Sequence, residues 1–271
     1  MKSIFDIFEF DVIRTQLASY TKTVRGKEMA TKLGLFKDAT SLKEELLLLR
    51  EVHNYLFRYG ELPLNNSNDL SLPFKFARSG NILTPGDFDH INSDIKASIK
   101  IINIAKTKID KTSLLFMLID QLLDLSPLSS RIEMVISPNL TIKDSASSEL
   151  KKIRREMLNL ENKISKTSTE LLTIYKNVIS DSIITMRNGH YVIPIKASEK
   201  YNVNGIIHDI SQTGQTVYIE PSQIVELNNR LINAKNDELT EINRILRELT
   251  LEMLANEAAI LNNNEVIARL D

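Results

Sequence analysis

The side chains able to do acid–base or metal chemistry gather in one stretch of this chain: His190, His208, Asp209 and Glu220. Imidazole nitrogen and carboxylate oxygen both bind zinc-class ions, and imidazole also changes charge near neutrality. Their spacing nevertheless matches no ligand motif. No third ligand follows at a recognisable interval, and no nucleophile stands with a paired base. The expectation is therefore no catalytic residue and no metal site. Cysteine is absent, which removes disulfides, thiolate catalysis and cysteine-ligated metals.

The second chemistry to weigh is contact with phosphate. Residues 181–220 carry Arg187, Lys196 and Lys200 against Asp181, Glu199, Asp209 and Glu220, a sparse charge for a surface that must hold a polyanion. A rim made of Arg187, Asn188, Lys196, Lys200, Gln212 and Gln215 could still contact a nucleic-acid backbone. Solvated hairpin loops are the alternative, and the sparse charge favours them. A denser basic run, Lys151, Lys152, Arg154 and Arg155, is bracketed by Glu149 and Glu156, as in a salt-laced solvated helix, with phosphate contact as the other reading. Tyr191, Tyr201 and Tyr218 could stack on bases, although packing against helix ends suits them better.

These residues need elements to position them. Leu150, Ile153, Met157, Leu160, Ile164, Thr167, Leu171, Ile174 and Val178 recur at alternating threes and fours, which predicts a helix over 145–179 with one long apolar seam. At about 1.5 Å per residue the seam is roughly 42 Å long and needs a partner of similar length. From Pro221 a second seam runs through Ile224, Leu227, Leu231 and Ala234. After a polar stretch and a slip in register it resumes at Ile242, Ile245, Leu249 and Met253, giving a returning helix over 221–271. Between the two the period changes. Ser182–Met186 and His190–Ile195 flank Arg187-Asn188-Gly189, which has hairpin-turn chemistry, and Gly205–Ile210 and Thr216–Glu220 form a second pair around Gly214. Gly189, Pro194, Gly205, Gly214 and Pro221 are the expected turn and hinge positions of this small sheet, over 180–220.

Residues 1–144 read as a helical core. Helices are expected over Ile4–Tyr20, Lys27 to about Leu35 after a turn at Gly26, a start at Thr40 or Ser41 to about Tyr59, and Leu72–Ser79. Thr84-Pro85-Gly86-Asp87 has the chemistry of a helix start, Leu114–Leu125 is a buried helix too short to span a bilayer, and Ser126-Pro127 opens another through Ile132. Gly60–Pro73 is a loop. The expected fold is mainly α, a helical core with two long antiparallel helices and a four-stranded β segment at their tip.

Composition sets the outer limits. The chain has 271 residues, with 34 Lys+Arg against 35 Asp+Glu, so no global basic field draws it to nucleic acid. No stretch approaches eighteen apolar residues, and the opening MKSIFDIFEFD turns acidic before any apolar leader segment forms; a cytoplasmic chain without membrane contact is the expectation.

The run from Asp181 to Leu231 resembles the clamp and returning lever of the bacterial MutS type-two family, stand-alone relatives of the mismatch-recognition protein that lack its mismatch-reading and connector domains. The resemblance rests on Met186-Arg187-Asn188-Gly189, the strand ending at Pro194, Gly205-Ile206-Ile207-His208-Asp209, Ile219-Glu220-Pro221 and Asn228-Asn229. It extends to Phe8-Glu9-Phe10-Asp11, Gly26-Lys27, Gly80 through Thr84-Pro85, and Glu149-Leu150 through Arg154-Arg155, so it covers essentially the whole chain.

What the resemblance implies is a non-catalytic core, lever and clamp that embraces ribosomes or branched DNA, in ribosome rescue or suppression of recombination. Full-length relatives are expected to be homodimers that carry an ATPase domain, with ATP and magnesium, directly after this span, and a nuclease-like domain beyond it. The chain stops at Arg269-Leu270-Asp271, where that ATPase would begin, and no phosphate-binding G-x-x-x-x-G-K-[ST] can be assembled from its eight glycines. No cofactor is therefore expected within it, and without the ATPase it is expected to be monomeric or weakly associated. The competing reading is a coiled-coil scaffold whose tip binds another protein.

Overall fold

Several helices begin at a side chain that closes the open backbone donors of a first turn. In the computed structural model, which describes residues 8–36, 38–64 and 69–271, Thr84 caps helix Pro85–Lys108 and Asp87 returns a bond to the Thr84 amide, a reciprocal capping box. Asp38 caps Ala39–Tyr59 by accepting from the amides of Thr40 and Ser41. The cap expected at Thr40 or Ser41 is thus two or three residues late, because the aspartate outcompetes both hydroxyls for the same amides.

The chain divides into two compact units, one made of residues up to Lys143 with Leu246–Asp271 and the other of Asp144–Ile245. The first is built on helices: α1 Phe10–Tyr20, α2 Val24–Thr31, α3 Ala39–Tyr59, α4 Ser71–Arg78, α5 Pro85–Lys108, α6 Leu114–Ile119 and α7 Ser126–Val135, joined by the carboxy-terminal Glu257–Leu270. Its core sets Ala97, Ile101 and Ala105 of α5 against Leu115, Leu118 and Ile119 of α6, and Val266, Ile267 and Leu270 of the carboxy-terminal helix. Burying apolar side chains of this size contributes about 1.5–3 kcal/mol each. Asn263 closes the neighbouring turn, accepting from the Leu123 amide and donating to the Leu123 carbonyl, both at 2.8 Å.

Four expectations for this unit need correction. Gly26 does not end a turn. It lies inside α2, which starts at Val24, because Thr23 accepts from the Gly26 amide and the side chain of Asp271 accepts from the amides of Lys22 and Thr23. A Cβ at Gly26 would stand 2.4 Å from that carboxylate, so the contact needs glycine. The same helix ends at Thr31, not Leu35. The apolar run Leu114–Leu125 is helical only to Ile119, since Leu123 turns its backbone to Asn263. In the first helix Glu9 is left-handed and the helix starts at Phe10; Ile4 to Ile7 lie outside the described residues, as do residues 65–68 of the expected loop.

The second unit holds α8 Ser148–Ile174, the strands β1 Thr185–Arg187, β2 His190–Lys196, β3 Gly205–Ile210 and β4 Thr216–Pro221, and most of α9 Ser222–Ala255. Contacts between α8 and α9 run antiparallel: Ser147 meets Glu241, Arg154 meets Glu238, Glu156 meets Arg230, and Leu160 and Ile164 pack with Leu231 and Ala234. The polar stretch in the second seam therefore has a partner. Glu238 and Glu241 face the start of α8, and Glu241 is held down at about 2 by hydrogen bonds from Arg244 and Ser147.

The outgoing seam differs in detail from its periodicity. Ser168, not Thr167, fills the buried position, and Ile174 is 71% exposed because α8 ends there. After α8, Lys196 donates to the Val178 carbonyl and Ser180 to the Pro194 carbonyl, so this segment occupies the edge of β2. Residues 181–184 must then pass outside that edge before pairing resumes at Thr185 with Val192, which is why β1 starts three residues later than its composition suggests. At the other end the returning helix is not continuous to 271: it stops at Ala255, and α10 Glu257–Leu270 starts afresh.

The sheet is antiparallel in the order β1-β2-β4-β3. Asn188 and Gly189 both take positive φ, 50° and 85°, as a two-residue hairpin turn requires. One face is dry, with Ile193, Ile195, Val217 and Ile219 packed on Val178 and Ile179. Together these elements bear out a mainly α fold with a small four-stranded clamp inserted between two antiparallel helices.

Candidate functional site

On the other face of the sheet lies Glu220, with no exposed surface. Since directly paired residues share a face, the pairing of Glu220 with Ile206 and of its neighbour Ile219 with core Ile193 sends the carboxylate away from the dry side. Three donors meet it: His190 Nδ1 at 3.1 Å, His208 Nε2 at 2.5 Å and Asn228 Nδ2 at 2.6 Å. Burial alone would push this carboxyl up, but the hydrogen bonds from Asn228, His208 and His190 outweigh it and hold the group below the usual glutamate range. The imidazoles stack with ring centroids 4.2 Å apart.

A break in the ladder brings His208 there. Pairing of β3 with β4 shifts between Ile207 and Asp209, leaving His208 as the extra residue of a bulge and re-aiming its side chain. Asp209, the other acid weighed in the sequence, goes to Arg187 instead, at 3.1 Å. Gly205 opens β3 because a Cβ there would lie 2.1 Å from the Glu220 carbonyl oxygen.

The six rim residues fall into two groups. Arg187 is paired with Asp209 and lies 4.1 Å over the Tyr218 ring, while Asn188 donates to the His208 carbonyl at 3.0 Å, so both are tied across β3 and β4. Lys196 pairs with Thr216 at the end of β2 and its ammonium donates to the Asn177 carbonyl at 3.1 Å, while Gln212 and Gln215 are exposed on the β3–β4 turn, where the Ala197 amide donates to the Gln215 carbonyl. Lys200 lies on the helical turn Ala197–Asn202 that follows β2, with its ammonium 4.9 Å from the ring centre of Tyr201. Tyr201 is the outward tyrosine at 86% exposure, whereas Tyr191 packs among Leu160, Ile164 and Leu231.

On α8 the basic run also divides. Lys151, Lys152 and Arg155 are exposed, and Lys152 pairs with Glu149 at 3.7 Å. Arg154 points inward and bridges Asp144 at 2.5 Å and Glu238 at 2.6 Å. Burial opposes its charge, yet those ion pairs raise its pKa. Of the remaining clamp positions, Gly214 has φ 70° in the β3–β4 turn, Pro194 is buried in β2, and Pro221 ends β4 immediately before α9. Asn228, on the second turn of α9, closes hydrogen bonds to the clamp, as its place at the start of the returning helix led one to expect. Its oxygen accepts from the Tyr191 amide and its nitrogen donates to the Tyr191 carbonyl, which fixes β2 against α9.

No family profile matches the chain. Individual proteins do match it from end to end. It is 31% identical over 100% of its length to "Endonuclease MutS2" of Halothermothrix orenii and 33% identical over 98% to the protein of that name from Bacillus cytotoxicus. A third, from Caldanaerobacter subterraneus subsp. tengcongensis, is 32% identical over 97%. The chain belongs to the MutS type-two family. It spans about a third of the length of these curated relatives, between 33% and 35% of each. Among the described residues no helix is long and apolar enough to cross a membrane.

Proposed function

We propose that this chain is the non-catalytic core, lever and clamp of a MutS-like ATPase that embraces a large nucleic-acid-containing body, a ribosome or branched DNA, with the sheet as its contact surface. The observation that carries the reading is the exposed β3–β4 turn with Gln212 and Gln215, tied through the Ala197 amide to the turn Ala197–Asn202 that bears Lys200: cationic and amide donors on neighbouring turns suit phosphate oxygens. Exposed Tyr201 beside Lys200 adds a stacking surface. Arg187, committed to Asp209 and Tyr218, orders the hairpin more than it binds. In the cytoplasm, as a homodimer completed by the ATPase domain with ATP and magnesium, two such clamps would act together.

Titration of the chain against ribosomes, branched DNA and linear duplex at two salt concentrations tests the reading. Tighter binding to ribosomes or branched DNA than to linear duplex, weakened by salt and by Lys196→Ala with Lys200→Ala, is the expected result. A second reading has its own support. Ile206, Ile207 and Ile210 on the outer strand β3 are about half exposed, which suits a scaffold whose tip holds another protein. Binding indifferent to salt and lost in Ile206→Ser with Ile210→Ser would favour it.

A further inference from the structure

A carboxylate with no exposed surface needs compensating positive charge. Among the described residues the side chains that hydrogen-bond Glu220 are His190, His208 and Asn228, with no Lys or Arg in the set. Two imidazoles from different strands thus converge on one carboxylate from a third. His190 turns its Nδ1 to one Glu220 oxygen and His208 its Nε2 to the other, and one ligand atom from each of the three residues lies within 4.8 Å of the others.

We infer that His190, His208 and Glu220 bind one divalent transition-metal ion of the zinc class, which ties β2, β3 and β4 together. Two neutral imidazoles and one carboxylate are a zinc-type donor set, whereas magnesium and calcium select all-oxygen shells. Metal–ligand bonds of about 2.0–2.1 Å make the edge of a tetrahedral site about 3.3 Å, so side-chain rotation within the present cluster is enough to reach it. The shell behind the ligands is built as well: Asn228 donates to Glu220 Oε1 and is itself fixed on both backbone groups of Tyr191. Access exists, since the side chains of His190 and His208 keep 20% and 13% of their surface exposed. That exposed side leaves a fourth position to water.

Cobalt(II) as a spectroscopic probe, and zinc by calorimetry, test the site on the whole chain. One equivalent of cobalt is expected to give visible d–d bands without thiolate charge transfer, zinc is expected to displace it, and the Tm should rise with the logarithm of free zinc. His190→Gln and His208→Gln should each weaken binding at least tenfold, while His53→Gln and His90→Gln, at exposed helix positions, leave it unchanged. Because Glu220→Gln alters a fully buried group that three strands and α9 share, the partly exposed His190 carries the decisive variant. Absence of stoichiometric binding, or binding unchanged in both His190→Gln and His208→Gln, would overturn the inference and leave protons alone to balance Glu220.

Discussion

Asn228 donates to Glu220 Oε1 at 2.6 Å and, through the same amide, holds both backbone groups of Tyr191. One side chain on α9 thereby serves as a short strand neighbour for β2 and as an anchor for the buried carboxylate of β4. Asn228→Ala leaves three buried polar groups without this partner and should cost about 2–4 kcal/mol in urea unfolding. Asn228→Asp keeps the acceptor, loses the donor and sets a second negative charge beside Glu220, so it should cost more; a variant as stable as the parent would refute this role.

Gly205 and Gly214 are both glycines of the clamp, but for different reasons. A Cβ at Gly205 collides with the Glu220 backbone, whereas Gly214 has open space and needs only its positive φ. Gly205→Ala should unfold the sheet or cost more than about 3 kcal/mol, and Gly214→Ala only about 1–2 kcal/mol, as read from denaturation midpoints.

Two carboxyls give opposite pH dependence. Asp94 is pushed up to about 7 by burial, against a hydrogen bond from Asn264. Its folded pKa lies above the unfolded value of 3.8, so its contribution to stability is full below about pH 4 and lost as pH rises to about 7, about 4 kcal/mol at most. Glu241, held at about 2, contributes stability above its usual 4.5 that is lost as pH falls toward 2. Asp94→Asn should flatten the upper slope of a stability–pH curve and leave the acid limb in place.

Ser168 is fully buried in the α8 seam, and its hydroxyl has no hydrogen-bond partner among the described residues. Ser168→Ala removes an unsatisfied group and adds helix propensity, and should stabilise the chain by about 0.5–1 kcal/mol in thermal unfolding. A loss of stability would mean that the hydroxyl is satisfied by water.

Arg154→Ala breaks both the Asp144 and the Glu238 pair and should cost about 1–2 kcal/mol, whereas Lys151→Ala and Arg155→Ala stay within about 0.5 kcal/mol. A double-mutant cycle with Glu238→Ala isolates the coupling.

Periodicity made the long helices and the strand pairs legible, because a seam of threes and fours and an Asn-Gly turn are local signals. Cap choice at Asp38, the end of α8 at Ile174 and the late start of β1 were not, since each depends on which distant group takes a backbone partner first. The candidate site was legible as a list and not as a geometry. Nothing in the spacing of His190, His208 and Glu220 announces a bulge, and without the bulge His208 has no reason to face Glu220. Likewise, Arg154 reads like its basic neighbours until α9 supplies Glu238.

The interruption of the apolar seam has a mechanical result. Two uniformly greasy helices could slide past each other by a heptad at little cost, but a displacement of seven residues would set the Arg154 guanidinium against Leu231 or Ile245 in place of Glu238, stranding a cation in an apolar slot. Sliding is therefore blocked in both directions, and any movement relayed along this pair must travel as bending or rotation of the two helices together.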